Sequence, residues 1–501
     1  MKLLNYKTLE ELNYKPYLLK DAPERILQFG EGNFMRAFVD YFVDVMNEKA
    51  NFNSKIVICQ PIENGLSNII NEQEGLYSLF LRGFENGKKV NNKRVISSVS
   101  RCINPYKNYN SLLDCAKNPD LRFITCNTTE AGIVYDNSCK IEDKPAKSFP
   151  AKLTQFMYER YKYFSGDTSK GFIILSCELI DNNGQELKKC VLKYAKQWNL
   201  SEEFISWIEV SNIFCSTLVD RIVTGYPKNE ASEICENLGY KDNLLNTAEI
   251  FGFWVIEGDK KLNEELPFAK ASLPVIITED HTPYKLRKVK ILNGAHTSFV
   301  LGAYKAGQDI VRDCMEDDAI CGFMNKLIYD EVIPTLDLPL EELESFAHSV
   351  TERFKNPFID HELLAISLNS TSKWKARLMP SLKEYIKRKN EIPNCITMSF
   401  AFYIDFFAGH TLNKNSLIGT RGNNEYQIQD DIDILEFYYN HRNDSNSELV
   451  KAVCSNDSFW GENLCNIEGF ENKVLEYYNY IKENGAYKAF QKMIWGAKWK
   501  N

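Results

Sequence analysis

Apolar residues recur at helical spacing from residue 285 to residue 300, and three polar side chains interrupt them. The apolar members are Leu286, Val289, Ile291, Leu292, Ala295, Phe299 and Val300. At about 100° per residue, Lys288, Asn293 and His296 fall within an arc of roughly 140°. Polar groups on a helix that packs against a core are costly unless each has a partner. The pattern therefore predicts a helix that turns these three side chains toward one cleft.

The rest of the chain alternates between apolar runs and helical stretches up to about residue 280 and is mostly helical after it. Apolar runs predict buried strands at 25–29, 55–60, 121–126, 171–177, 253–256 and 274–277. Helical periodicity predicts helices at 33–47, 153–163, 184–198, 317–330, 340–354, 381–389 and 472–481. This order predicts an α/β protein with a doubly wound Rossmann-type domain over 1–280 and a mostly α-helical domain over 281–501.

The first predicted strand runs directly into a glycine turn and a helix. Gly30 and Gly32 would let the backbone approach a dinucleotide pyrophosphate, although Met35 stands where the third glycine of the fingerprint belongs. A tight turn before a core helix explains the two glycines equally well. Arg36 is a candidate phosphate partner. Gln60 ends the second strand in place of the usual ribose-binding acid, so the choice between NAD and NADP stays open.

The polar trio has the chemistry needed to oxidise an alcohol or reduce a ketone. A lysine partly removed from water, with Lys285 and Lys290 nearby, could take a proton from a hydroxyl group. Asn293 and His296 could hydrogen-bond the oxygen as it changes between alkoxide and carbonyl. The alternative is that Lys288 extends to solvent while the other two bond to neighbouring backbone.

Composition excludes several classes of protein. The 501 residues are 44% hydrophobic and carry a net charge of −8, which disfavours a nucleic-acid partner. No apolar run is long enough for a membrane span, and no secretory signal is recognisable, so we expect a cytoplasmic protein. The 14 cysteines include no CxxC pair, and the six histidines form no HxxxH or HExxH pair. We therefore expect reduced thiols and no metal site.

Several motifs in one order make the chain similar to a known family. They are the Lys288-x4-Asn293-x2-His296 pattern and the segments 29–38, 127–132 and 217–222. In these motifs, and along nearly its whole length, the chain resembles the polyol-specific long-chain dehydrogenases, the mannitol dehydrogenase family. The resemblance implies a metal-independent enzyme that uses NAD, with Lys288 as general base and with Asn293 and His296 binding the reacting oxygen.

The resemblance also implies a set of binding residues, with two departures. The implied cofactor contacts are Phe29, Gly30, Gly32, Asn33, Phe34, Arg36, Gln60, Thr128 and Glu130, and the implied substrate contacts are Glu178, Asp220 and Lys373. Leu179 replaces an asparagine that assists the lysine in mannitol-type enzymes. Ala365 replaces the arginine of an Arg-x7-Lys pattern that keeps only Lys373. Both changes argue against a simple hexitol substrate.

The segment from 353 to 375 resembles the branch of the family that interconverts D-altronate and D-tagaturonate with NAD. Fructuronate reductase or mannitol dehydrogenase activity is the close alternative, and a dinucleotide-binding sensor is the non-enzymatic one. We expect a small sugar acid as substrate and a monomer or small homo-oligomer. Its carboxylate would need a cation, for which Lys373 is the first candidate and Lys375 or Arg377 the next.

Overall fold

The computed structural model describes residues 1–85, 87–128 and 132–496, and the chain divides into two compact units. Unit 1 comprises Met1–Gly83 and Lys88–His281. Unit 2 comprises Phe84–Gly87 and Thr282–Asn501.

Strands and helices alternate through the first part of the chain. The strands are β1 (Glu24–Phe29), β2 (Lys55–Cys59), β3 (Tyr77–Glu85), β4 (Lys88–Ile96), β5 (Val99–Ile103), β6 (Phe123–Cys126), β7 (Ile173–Ser176), β8 (Ile213–Cys215), β9 (Thr217–Asp220), β10 (Val223–Gly225), β11 (Asn246–Glu249), β12 (Phe253–Glu257) and β13 (Val275–Thr278). The helices are α1 (Tyr6–Glu11), α2 (Asn33–Ala37), α3 (Val39–Ala50), α4 (Ser67–Glu72), α5 (Tyr109–Ala116), α6 (Phe149–Tyr163), α7 (Asn183–Gln197), α8 (Glu202–Ser211), α9 (Ala231–Leu238) and α10 (Leu262–Glu265).

A parallel sheet forms the centre of unit 1, with its strands in the order β5-β2-β1-β6-β7-β8. Successive residues of β2 alternate between two apolar cores. Ile56 and Ile58 pack with α3, whereas Val57 and Cys59 pack with α6 and α7. Both faces of the sheet are covered, which explains the unbroken apolar runs in the sequence. The predicted α/β fold with a Rossmann-type sheet is confirmed.

Smaller sheets accompany the central one. In the described residues, β10, β11, β3 and β4 form one sheet, and β13, β12 and β9 form another. The sequence analysis did not predict β3, which is buried over 77–83, or β4, which is mostly exposed until its last two residues.

Unit 2 is mostly helical, as predicted. Its helices are α11 (Thr282–Arg287), α12 (Gly294–Lys305), α13 (Val311–Glu316), α14 (Asp318–Lys326), α15 (Leu340–Phe354), α16 (Leu363–Ser367), α17 (Ser370–Arg377), α18 (Met379–Lys389), α19 (Asn394–Phe407), α20 (Ile432–Asn440), α21 (Asn446–Cys454), α22 (Asp457–Trp460), α23 (Phe470–Asn484) and α24 (Ala486–Trp495). Two π-helical turns, π1 (Lys288–Asn293) and π2 (Leu327–Val332), interrupt this pattern. The strands β14 (Thr411–Asn413), β15 (Ser416–Arg421) and β16 (Asn424–Ile428) form an antiparallel sheet.

Three local predictions are wrong. The helix predicted over 33–47 breaks at Phe38, whose φ of −123° and ψ of −77° are not helical. The helix predicted over 317–330 changes from α to π geometry after Lys326. Leu286, expected in the apolar face, is 42% exposed. Periodicity reports which side of an element is apolar, but it does not report such breaks in the hydrogen-bond pattern.

Candidate active site

The polar trio lies where α11 passes through a π turn into α12. Lys288 and Asn293 are the first and last residues of π1, and the Gly294 N–H donates to the Val289 carbonyl, five residues earlier. Residues five apart in such a turn lie nearly above one another, whereas an α-helix would separate them. His296 follows Asn293 by three residues on α12 and shares its face. The predicted helix is confirmed, but its α geometry at Lys288–Asn293 is wrong.

His296 is a buried imidazole with a nitrogen that lacks a partner. Its ring stacks on Phe354 at 4.0 Å between centroids and meets the His361 ring edge to face at 5.2 Å. Within the described residues, no group hydrogen-bonds its Nε2. Burial lowers the pKa of His296 well below its usual value, and His361, Arg377, Arg353 and Lys373 lower it further. The ring is therefore neutral at pH 7 and can donate a hydrogen bond to a ligand oxygen.

Basic side chains from α17 surround this histidine. The Lys373 ammonium donates to the Ile366 carbonyl at 2.9 Å, and the Arg377 guanidinium donates to Thr297 Oγ1 at 3.1 Å. Burial lowers the pKa of each group, and the neighbouring charge of Arg377 lowers that of Lys373 further. In the described part of the chain, neither of the two forms an ion pair with a carboxylate. The pair is therefore suited to binding an anion.

Lys290 and Lys375 have neighbours away from His296. Lys290 is buried and lies 3.4 Å from the Thr335 carbonyl, and burial lowers its pKa. Lys375 lies on another side of α17, with its Nζ beside Gly461. Of the three cations that the sequence offered for a carboxylate, the structure thus brings Lys373 and Arg377 to His296 but not Lys375.

In unit 1, the glycine turn has the shape expected at a dinucleotide site. Gly30 has a φ of +125°, and a Cβ there would lie 3.0 Å from the Asn127 carbonyl oxygen. Gly32 is exposed, and a Cβ there would meet nothing within 4 Å. Asn33 is also exposed, and the half-buried Phe34 stacks on Phe38. The backbone conformation and the close Asn127 carbonyl therefore require glycine at position 30, whereas Gly32 leaves open space for a ligand.

Arg36 forms hydrogen bonds inside the protein. It is 3% exposed, and its guanidinium donates to the carbonyls of Glu31 and Leu244 and to Asn33 Oδ1. It also lies over the ring of Tyr77 at 5.1 Å. These internal acceptors turn Arg36 inward beside the glycine turn, and its contact with a phosphate stays a prediction.

Gln60 is likewise used inside the protein. Its amide nitrogen donates to the carbonyls of Ile62 and Glu63, and its oxygen accepts from the Ser67 N–H. The side chain is fully buried. Gln60 therefore shapes the loop after β2, and its contact with a ribose stays a prediction.

Thr128 and Glu178 join the ends of two neighbouring strands. The Thr128 N–H and hydroxyl both donate to Glu178 Oε1 at 3.0 Å, and the Cys126 thiol approaches the other oxygen. Burial raises the pKa of Glu178, which is 2% exposed. Phe29 is fully buried, and Asp220 is 6% exposed at the end of β9. Glu130 lies outside the described residues.

The sequence analysis missed several neighbours of His296. Phe354, Arg353 and His361 belong to α15 and the segment after it, about sixty residues from His296 along the chain. The basic and aromatic residues of the segment 353–361 are the signal in the sequence that could have indicated these neighbours.

The two positions that depart from the family pattern are both exposed. Leu179 is 64% exposed, and Ala365 is also exposed.

The described residues contain neither a membrane-spanning helix nor a cluster of metal ligands. No helix in residues 1–85, 87–128 or 132–496 has the length and apolarity needed to cross a membrane. Within the same residues, no cluster of three or more His, Cys, Asp or Glu side chains is arranged to hold a metal ion.

Comparisons with known proteins extend over nearly the whole chain. Two altronate oxidoreductases, from Escherichia coli O6:K15:H31 (strain 536 / UPEC) and Escherichia coli O1:K1 / APEC, are each 45% identical over 488 residues, covering 96% of this chain and 99% of theirs. A D-sorbitol dehydrogenase in substrate-free form has the same fold, with a TM-score of 0.80 at 22% identity over 97% of this chain and 100% of its own.

A Pseudomonas fluorescens mannitol 2-dehydrogenase, solved as a ternary complex with NAD and D-mannitol, also shares the fold. Its TM-score is 0.67 at 21% identity over 98% of this chain and 99% of its own. The family model of the mannitol dehydrogenase Rossmann domain matches residues 24–270, and that of the mannitol dehydrogenase C-terminal domain matches residues 280–482. The chain belongs to the mannitol dehydrogenase family.

Proposed function

We propose that this chain is an NAD-dependent oxidoreductase that interconverts D-altronate and D-tagaturonate. Unit 1 would bind the dinucleotide, and unit 2 would hold the catalytic trio. The proposal is supported by the 45% identity to altronate oxidoreductases over nearly the full length. The observation that carries it is the pair of cations beside His296, because a hexitol has no charge for them to bind.

The energetics of that pair favour an anionic substrate. Lys373 and Arg377 are partly buried, and burial is the main cause of the lowered pKa of Lys373, which the repelling charge of Arg377 lowers further. A carboxylate placed between them would relieve this repulsion and gain charge-assisted hydrogen bonds worth about 1.5–3 kcal/mol each. Arg377 would also supply the second cation that the family pattern loses at Ala365.

The glycine turn fits a dinucleotide. A Cβ at Gly32 would occupy open space, so the backbone there can approach a pyrophosphate. Gly30 adopts the positive φ that the turn needs. Because Gln60 and Arg36 are used internally, backbone groups would make most of the contacts at this turn.

When bound, NAD would supply the acceptor or donor of two electrons and a proton. The side chains of unit 2 would handle the substrate oxygen. Lys288 would take the hydroxyl proton during oxidation of altronate and return it during reduction of tagaturonate. The neutral His296 would donate from Nε2 to that oxygen, and the Asn293 amide would bind it from one turn earlier.

A side-by-side assay of the purified protein tests the proposal. Reduction of tagaturonate, fructuronate and fructose would be followed by loss of NADH absorbance, and oxidation of altronate, mannonate and mannitol by its gain. We expect the highest kcat/KM for the tagaturonate and altronate pair. A higher value for fructose or mannitol would contradict the proposal. Tight NADH binding without turnover of any sugar would favour a sensor instead.

A further inference from the structure

His361 lies in the substrate region of unit 2, but the mechanism above gives it no role. Its ring is half-buried and meets the ring of His296 edge to face at 5.2 Å. In the described part of the chain, neither of its ring nitrogens forms a hydrogen bond. An imidazole in this position is available to a ligand as both donor and acceptor.

The backbone on both sides of His361 is held in place. The Val311 N–H donates to the His361 carbonyl at 3.0 Å, and the Leu363 N–H donates to the Asp309 carbonyl at 2.9 Å. Ile310 and Glu362 pair as an antiparallel bridge. With its backbone held and its ring packed against that of His296, His361 presents the ring in a defined orientation, as a residue that distinguishes similar ligands must.

His361 neighbours both of the other parts of the site, the histidine His296 and the cation Lys373. After burial, Lys373 is the charge that lowers the pKa of His361. The His361 ring meets the His296 ring at 5.2 Å between centroids, and the Lys373 ammonium donates to the carbonyl of Ile366, five residues after His361. His361 therefore neighbours both His296 and the segment that binds Lys373. Because its pKa is lowered, the His361 ring is neutral at pH 7 and keeps one N–H donor and one free nitrogen acceptor.

This arrangement fits the order of groups along a ketouronate. The ketone is at the second carbon and the carboxylate is at the sixth, so the fourth carbon is midway between them. With the ketone oxygen at His296 and the carboxylate at Lys373 and Arg377, the hydroxyl of the fourth carbon would face the His361 ring. Tagaturonate and fructuronate differ only in the configuration of that carbon.

We propose that His361 hydrogen-bonds the hydroxyl of the fourth carbon and thereby selects tagaturonate over its epimer fructuronate. This inference rests on the proposed function. A site that hydrogen-bonds a hydroxyl rejects a substrate that cannot supply it there, because its own polar group is left without a partner.

The test compares His361→Leu and His361→Gln with the wild type on the two epimers. Loss of one hydrogen bond should lower kcat/KM for tagaturonate about tenfold in His361→Leu, mainly through KM. Fructuronate should lose much less, so the preference between the epimers should shrink. His361→Gln retains a donor and an acceptor and should recover most of the preference. His348→Leu, on the exposed face of α15, is the matched control and should change neither value.

Equal losses for both epimers would overturn the inference, because they would mean that His361 acts through His296 or through the fold. A loss confined to kcat would overturn it in the same way, as would an unchanged preference in His361→Leu. The proposed function fails separately, in the wild type, if tagaturonate is not the preferred substrate. Circular dichroism of each variant checks that the protein is folded before its kinetics are compared.

Discussion

Two polar regions of this chain use their side chains in opposite ways. Around the glycine turn, Arg36, Gln60 and Thr128 direct their hydrogen bonds to other groups of the protein. Around α12, the Nε2 of His296 has no partner in the described residues, and no carboxylate pairs with Lys373 or Arg377 there. Buried polar groups are normally satisfied, so the second pattern indicates binding by side chains. The internal hydrogen bonds around the glycine turn indicate side chains that hold the backbone of the turn in place.

Among the variants that test this comparison, Lys288→Ala should cause the largest loss of activity. Loss of a general base should lower kcat by about 10²–10⁴-fold, while the dissociation constant for NADH stays nearly unchanged, because the base acts on the substrate. Steady-state kinetics and fluorescence titration with NADH measure the two quantities. A variant that keeps more than about a tenth of the wild-type kcat would remove Lys288 from the chemistry.

Lys373→Met tests whether the unpaired cations bind the substrate carboxylate. Loss of one charge-assisted contact should raise KM for tagaturonate by roughly ten- to a hundredfold. Tagatose, which lacks the carboxylate, should be affected much less. Lys375→Met is the matched control, since its Nζ lies beside Gly461 on another side of the same helix. Equal losses for tagaturonate and tagatose would show that Lys373 binds hydroxyl groups instead.

Gly30→Val and Gly32→Ala distinguish two roles of the glycine turn. Gly30 provides the backbone conformation of the turn, and Gly32 leaves open space for a ligand. Gly30→Val should weaken NADH binding and also lower the free energy of unfolding by about 1–3 kcal/mol, because a β-branched residue is strained at a φ of +125°. Gly32 has a φ of −65°, so Gly32→Ala should leave stability unchanged and weaken only NADH binding. Thermal melts and NADH titrations of both variants distinguish these outcomes. Unchanged NADH affinity in both would place the cofactor elsewhere.

Chelation should have the smallest effect. Incubation with EDTA is expected to leave kcat and KM unchanged, because a lysine base and neutral donors need no Lewis acid. Activity that disappears with EDTA and returns with zinc or manganese would contradict the lysine mechanism.

Most of the fold was predictable, because burial on both faces of the sheet leaves a strong signal in the sequence. The strands β1, β2, β6 and β7 are mostly apolar and buried, and α15 begins and ends where its periodicity does. The strands β4 and β14–β16 were missed, because they have exposed positions and short apolar stretches. The strand β3 is buried over 77–83 and was missed because Ser78 and Arg82 interrupt its apolar residues. The trio of Lys288, Asn293 and His296 was identifiable because polar residues stand out in an apolar helix.

The sequence by itself therefore determined the α/β class, the helical character of the second half, the glycine turn and the identity of the polar trio. Only the tertiary structure decided how these groups are used. It placed Arg36 and Gln60 inside the protein, since their partners at Leu244 and Ser67 are set by packing. It changed the helix at Lys288 to a π turn and brought His361, Lys373 and Arg377 to His296. Local periodicity carries no information about contacts between residues far apart in the chain, and those contacts create the charge and burial of this site.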